Sequence, residues 1–197
     1  SEYVKASQDA SDNLDMSTKV TEEELNEAII DEFGVKYSKD GRKLLKAPQN
    51  LDGTYSIKEG TKIICDMAFD SCRSLTDIVI PDSVTSIGDC AFNGCESLSN
   101  LVIPNSVTSI GDGAFLGCES LTDIVIPNSV TSIGDSAFDG CGSLSSIVIP
   151  YSVTSIGDHA FNWCESLKSL VIPDSVTSIG GSAFKDCSSL SSLVIPD

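Results

Sequence analysis

The chain has 197 residues, with 29 acidic against 12 basic side chains and a formal net charge of −17. Residues 61–197 hold 16 of the acidic residues and four of the basic ones, so the acidity is concentrated there. A surface of that sign repels phosphate backbones, which argues against nucleic acid and anionic membranes as partners, and no apolar run reaches membrane-spanning length, which argues against membrane insertion.

Residues 1–19 are polar and without periodicity, and read as a disordered leader or linker. No secretory signal is visible in them, which decides nothing about secretion. Residues 20–60 read as an N-terminal cap. Thr21-Glu22-Glu23-Glu24 has the form of a capping box, with Thr21 as N-cap and Glu24 at N3. Leu25, Ala28, Ile29, Ile30 and Phe33 then fall at helical spacing, with Gly34 as a stop. The expected element is a helix laid across the open first coil to cover its apolar end, or a docking helix for another protein. Residues 35–38 and 42–45 flank Lys39-Asp40-Gly41, a β-hairpin pattern because Asp-Gly takes positive φ cheaply.

Residues 61–197 are dominated by a repeat. Proline recurs at Pro81, Pro104, Pro127, Pro150, Pro173 and Pro196, and cysteine at Cys72, Cys95, Cys118, Cys141, Cys164 and Cys187, always 23 residues on. A fixed period of that size predicts a solenoid, each repeat one coil stacked on the last. The degenerate stretch from Tyr55 to Cys72 fits as the atypical first coil, with Ile57 in the place of Ile80 and Ala68-Phe69 in the place of Ala91-Phe92. In the coil from Leu98 to Ser120, alternation makes residues 101–103 a strand that Pro104 ends. Val107–Ile110 is a second extended piece, Gly111 permits a corner, and Asp112 suits the N-cap of a short helical or 3₁₀ turn. The inward set is Leu98, Leu101, Ile103, Val107, Ile110, Ala114, Phe115 and Cys118, with Val102 outward. The expected class is therefore an α/β solenoid: a parallel β-sheet, short helical turns, and a helix-and-hairpin cap. The chain stops at Asp197, one strand into a coil and with no polar cap. Either it is a fragment of a longer array, or a partner covers that end, a second copy giving a homodimer.

The side chains that carry chemistry fall in columns. A 23-residue period spreads the six cysteines along a line, whereas zinc needs ligands converging on a point. Parallel side chains make disulfides between adjacent coils awkward. The column reads as buried free thiols with a weak hydrogen bond to a neighbouring coil. Cys65 and Cys90 stand outside it, and Cys90, at a variable position, is the expected exposed thiol. Asp66, Asp89, Asp112, Asp135 and Asp158 form a carboxylate column that suits helix caps or, alternatively, calcium. Ser83, Ser106, Ser129, Ser152 and Ser175 read as corner residues bonding backbone. The single histidine, His159, has no matched acid and serine, and no phosphate loop is present, so no catalytic residue, metal site or cofactor is assigned.

Two surface features remain as candidate binding residues. The outward strand position is always valine, at Val79, Val102, Val125, Val148 and Val171, beside a polar column that begins Asp77, Asn100, Asp123. An apolar stripe with a polar border can mark a binding face, although valine also favours strands on its own account. One repeat is unlike the others: Tyr151, His159 and Trp163 replace small or acidic residues, and exposed aromatics are common anchors.

The phrase L-x-x-I-V-I-P-x-S-V-T-S-I-G-x-x-A-F-x-x-C-x-S resembles the leucine-rich repeats of the BspA-like family, Treponema pallidum type, over about residues 35–197. The lead-in V-K-Y-S-K-D-G-R-K-L-L-K-A-P is similar to the segment that commonly starts such domains. The resemblance implies a curved, right-handed leucine-rich-repeat superhelix with a parallel sheet on one face. It also implies a chiefly bacterial, secreted or cell-surface setting, adhesion to proteins or cells, and no catalytic residues. The expected function is a non-enzymatic extracellular recognition or adhesion module for a protein or glycan; the alternative is a structural spacer in a larger secreted protein.

Overall fold

A computed structural model describes residues 15–197. The first fourteen residues of the expected leader lie outside this range. The remaining five are tied to the body rather than loose. Thr18 accepts from the Asp66 N–H at 2.8 Å, Lys19 pairs with Asp66 at 3.1 Å, and the buried Lys43 ammonium donates to the Lys19 carbonyl at 2.9 Å and to Glu24 Oε1 at 2.6 Å.

The capping box forms as expected: Thr21 Oγ1 accepts from the Glu24 N–H and the Glu24 carboxylate from the Thr21 N–H. The helix it starts, α1, covers only Glu22–Asn26. The longer helix expected through Phe33 does not exist. Ile29–Ile30 instead forms β1, antiparallel to β2 (Lys36–Tyr37), where the two β-branched residues stand exposed. The chain between is turned by Asp31, whose Oδ1 accepts from the N–H groups of Phe33 and Val35, and by Gly34 at φ 84°. That turn sets Phe33 edge-on against Tyr55, 5.7 Å between centroids. The apolar end of the first coil is thus met by a turn and a hairpin, not by a helix. The hairpin is the one the sequence announces, β2 against β3 (Lys43–Lys46). Its second strand also pairs in parallel with β5 (Ile63–Ile64), so the cap runs straight into the solenoid.

From there the chain is a parallel β-solenoid of about seven coils. One face carries β4 (Gly53–Ser56), β6 (Leu75–Val79), β8 (Asn100–Leu101), β10 (Asp123–Val125), β12 (Ser146–Val148), β14 (Ser169–Val171) and β16 (Ser192–Val194). A second face carries β5 and the two-residue strands β7 (Ser86–Ile87), β9 (Ser109–Ile110), β11 (Ser132–Ile133), β13 (Ser155–Ile156) and β15 (Ser178–Ile179). Pairing holds the repeat register: Ile124 faces Ile147, and Ile133 faces Ile156. The first face is interrupted, in the groups β4-β6-β8, β10-β12 and β14-β16.

The third side of each coil was expected to be a short helical turn, and it is not helical. N–H groups there alternate between two acceptors. Ala91, Asn93 and Cys95 donate three residues back within their own coil, whereas Cys90, Phe92 and Gly94 donate to Asp112, Ala114 and Leu116 of the next coil, each at 2.8 Å. A helix keeps its bonds to itself; this segment gives half of them away and so welds coil to coil. The alternation needs left-handed backbone at two positions per coil, such as Gly113 and Gly117 or His159 and Trp163.

All eight inward residues of the coil from Leu98 to Ser120 are buried, and Val102 is exposed. Like packs on like. Phe69, Phe92, Phe115, Phe138, Phe161 and Phe184 form one file with centroids 5.0–5.7 Å apart and rings within 11° of parallel. Each ring buried this way contributes about 1.5–3 kcal/mol of transfer free energy. The corner glycine has a different reason from the one expected. Gly88, Gly111, Gly134, Gly157 and Gly180 do not take positive φ; a Cβ on Gly157 would stand 2.5 Å from both the backbone nitrogen and Oδ1 of Asp135 in the preceding coil.

Close approach, not turn geometry, therefore excludes a side chain. Gly157→Ala is expected to lower unfolding free energy by about 1–3 kcal/mol through overpacking, whereas Gly142→Ala, with nothing within 4 Å, is expected to change it by less than about 0.5 kcal/mol. Urea midpoints of the two variants check the contrast.

Candidate functional site

The valine column stands out from the first face as the alternation requires. Val79, Val102, Val125, Val148 and Val171 are 53–78% exposed, while their strand neighbours Ile78, Ile124 and Ile147 are buried. The border column begins with a short network. Asp77 Oδ1 accepts from Asn100 Nδ2 at 2.7 Å and Asp77 Oδ2 from Thr76 Oγ1 at 2.7 Å. Bonds from the Thr76 hydroxyl and the Asn100 amide hold the Asp77 carboxyl below the usual carboxylate range, so it stays charged.

This face is not uniform along its length. A groove of about 710 Å³ lies over the first four coils and takes in Val79, Val102 and Val125 together with Asp77, Asn100 and Asp123. It spans the interruption between β8 and β10. Asp82 and Asn105, one residue past their prolines, complete its border. Val148 and Val171 continue the stripe beyond the groove, where the border column turns to Ser146, Ser169 and Ser192.

Tyr151 is 77% exposed and occupies the same repeat position as Asp82 and Asn105, so it belongs to this face, one coil beyond the groove. His159 and Trp163 do not join it. Both lie on the third, turn-bearing side, at φ 55° and 56°, their N–H groups donating to Gly181 and Lys185 of the next coil. Trp163 occupies the position that Gly94, Gly117 and Gly140 fill in earlier coils. A left-handed residue with a Cβ costs about 1 kcal/mol, so the indole is held at a place where glycine is the easier residue. The aromatic repeat is thus two separate features on two sides of the coil. The positive φ was not foreseen; the run of glycines at that position was its signal.

The carboxylates of the column do not cap helices; they bond from coil to coil. Asp66 Oδ1 accepts from the Asp89 N–H at 2.9 Å, and the same bond repeats from Asp89 to Asp112, Asp112 to Asp135, Asp135 to Asp158 and Asp158 to Gly181, at 2.6–2.9 Å. Each carboxylate ties its coil to the one after it. Among the described residues no group of three or more His, Cys, Asp or Glu side chains is arranged to hold a metal ion. Ser83 Oγ and Ser175 Oγ donate to carbonyls of the preceding coil at 2.7 Å, and Ser129 does the same; the hydroxyl oxygens of the half-buried Ser106 and Ser152 are shut off from solvent with no partner.

The thiols run the other way. Cys95, Cys118, Cys141, Cys164 and Cys187 each donate Sγ–H to the carbonyl of the phenylalanine 26 residues earlier, at 3.0–3.2 Å. All eight cysteines are free. Burial pushes Cys141 up to about 12 and Cys72 to about 11, so both remain neutral at physiological pH. Cys90 is half-buried.

The solenoid and its thiol, carboxylate and phenylalanine files define a leucine-rich repeat protein. The BspA-type leucine-rich repeat region matches residues 53–164 in six copies, and the chain belongs to that family. Among solved structures it is similar to a leucine-rich repeat protein of Treponema pallidum, at 30% identity and a TM-score of 0.69, over 80% of this chain and 87% of that one. A leucine-rich repeat protein of Eubacterium ventriosum follows at 26% identity and a TM-score of 0.64, and one of Bacteroides ovatus at 27% and 0.52. The overlap spans 50% of the Eubacterium protein and 61% of the Bacteroides protein. No protein of curated function matches the sequence.

Because the native thiols hold their protons above pH 9 while unfolded thiols begin to lose theirs, the native state binds more protons there. Stability is therefore fully present below pH 9 and falls as pH rises toward 12. A urea midpoint that is flat up to about pH 8.5 and declines between about pH 9 and 11 is the expected result. Native labelling with a thiol reagent at pH 8 should modify the partly exposed Cys90 and Cys187 and leave the buried Cys72, Cys95, Cys118, Cys141 and Cys164 unmodified until the chain unfolds.

Proposed function

We propose that this chain is a non-enzymatic recognition module, displayed outside the cell, that binds a protein or glycan through the valine-bearing face of its solenoid. The observation that carries the reading is the exposure of every valine in the column, 53–78%, on strands whose inward residues Ile78, Leu101, Ile124, Ile147 and Leu170 are buried. A row of apolar side chains bordered by Asp77, Asn100 and Asp123 offers contact area in the middle and hydrogen-bonding groups at the edge, the arrangement of a recognition surface. Membership of a family associated with cell surfaces and adhesion supports the extracellular setting. No helix among the described residues is long and apolar enough to cross a membrane.

Trp163 and His159 form a second, smaller candidate on the turn side, favoured by one observation: Trp163 is 51% exposed.

The two are separated by mutation. Val125→Lys with Val148→Lys places two charges on the valine face, and Trp163→Ala removes the indole. Against a panel of purified extracellular proteins and an array of glycans, the lysine pair is expected to weaken binding about tenfold or more, and Trp163→Ala to leave it within about twofold. Loss on Trp163→Ala alone would move the site to the turn side, and no effect from either variant would favour a spacer.

A further inference from the structure

The valine face is uniform in its apolar residue and uneven in its charge. Asp77, Asp82 and Asp123 border the groove over the first coils. Farther along, the border column is Ser146, Ser169 and Ser192. The groove over the first coils lies where these carboxylates are. No lysine or arginine lines it, and the carboxylate of Asp77 is fixed from both sides by Thr76 and Asn100. A carboxylate whose hydrogen bonds orient it in advance loses less freedom on meeting a cation.

On the reading above, in which the valine face is the binding face, we propose that the groove of Thr54 to Pro127 takes a protein segment that combines lysine or arginine with apolar side chains. The apolar residues seat on Val79, Val102 and Val125, and the cations meet Asp77, Asp82 and Asp123. The charge of the whole chain, −17, adds a long-range attraction for such a segment. An acidic peptide would have to approach against it. A neutral glycan would leave the carboxylates without counter-charges. Specificity then resides in the first coils, where carboxylates of both border positions meet the groove, and Val148 and Val171 contribute area beside Ser146 and Ser169.

The test uses the full chain and three synthetic probes of alternating sequence, Lys-Leu, Glu-Leu and Lys-Ser dodecapeptides with a fluorescent label, together with a neutral chitin oligosaccharide. Binding is followed by anisotropy at two salt concentrations. The Lys-Leu probe is expected to bind, to weaken about fivefold with Asp77→Asn and Asp123→Asn together, and to weaken again in high salt. Val102→Ser should weaken it as well, since Val102 lies over the groove and supports no core contact. Glu119→Gln with Glu165→Gln removes the same charge from exposed positions outside the groove and should leave binding unchanged. Equal losses from the two charge pairs would show attraction to net charge alone and overturn the proposal. So would binding of Lys-Ser as tight as Lys-Leu, or preferential binding of the oligosaccharide. If Lys-Leu fails while Val125→Lys with Val148→Lys still abolishes capture of another partner, the cationic specificity falls and the valine-face reading survives.

Discussion

Everything in this molecule depends on neighbouring coils meeting at one fixed offset. Three independent sets of bonds enforce it. Strand ladders hold two sides, and on the third every second N–H crosses to the next coil. Within that frame the phenylalanine file adds parallel rings at about 5.5 Å, a spacing imposed by the backbone rather than chosen by the aromatics. A shift by one residue would exchange inward for outward along each strand and put valines where isoleucines pack. The register is therefore the property that both stability and surface pattern inherit.

Polar side chains serve this register in opposite directions. Each aspartate of the column reaches forward to the next coil's N–H, and each thiol reaches back to the preceding phenylalanine carbonyl. The two files share no partners, so the interface between coils is pinned at two points on the same side. The phenylalanine carbonyls already accept the N–H of the cysteine three residues on, and sulfur, a weak donor that also fills apolar space, adds a second bond to each from the next coil. That explains a cysteine at every coil in a protein without a single disulfide.

Periodicity made the solenoid, its inward residues and its valine face readable in advance, since each is a consequence of position within the repeat. What the sequence concealed was local. Ile29, Ile30 and Phe33 fall at helical spacing, yet Asp31 closes a turn between them and the hairpin recruits Ile29–Ile30 as a strand. A capping box predicts where a helix begins and says nothing of how far it runs. The aspartates look like caps when one coil is considered alone; their acceptor role appears only when two coils are stacked. The same holds for the corner glycines, whose exclusion of a Cβ comes from the preceding coil. The candidate groove is intermediate: its residues were visible as columns, whereas the hollow over the first coils appears only once those coils are stacked.

The alternating bonds of the turn side have a consequence for how such a protein changes over time. Because each junction is made of the same donors and acceptors as the last, a duplicated or deleted coil finds a matching neighbour already in place. Gene slippage by one unit can therefore lengthen or shorten the array without inventing a contact. The recognition surface would grow or shrink with it, and the carboxylates at one end could be diluted or multiplied independently of the scaffold that displays them.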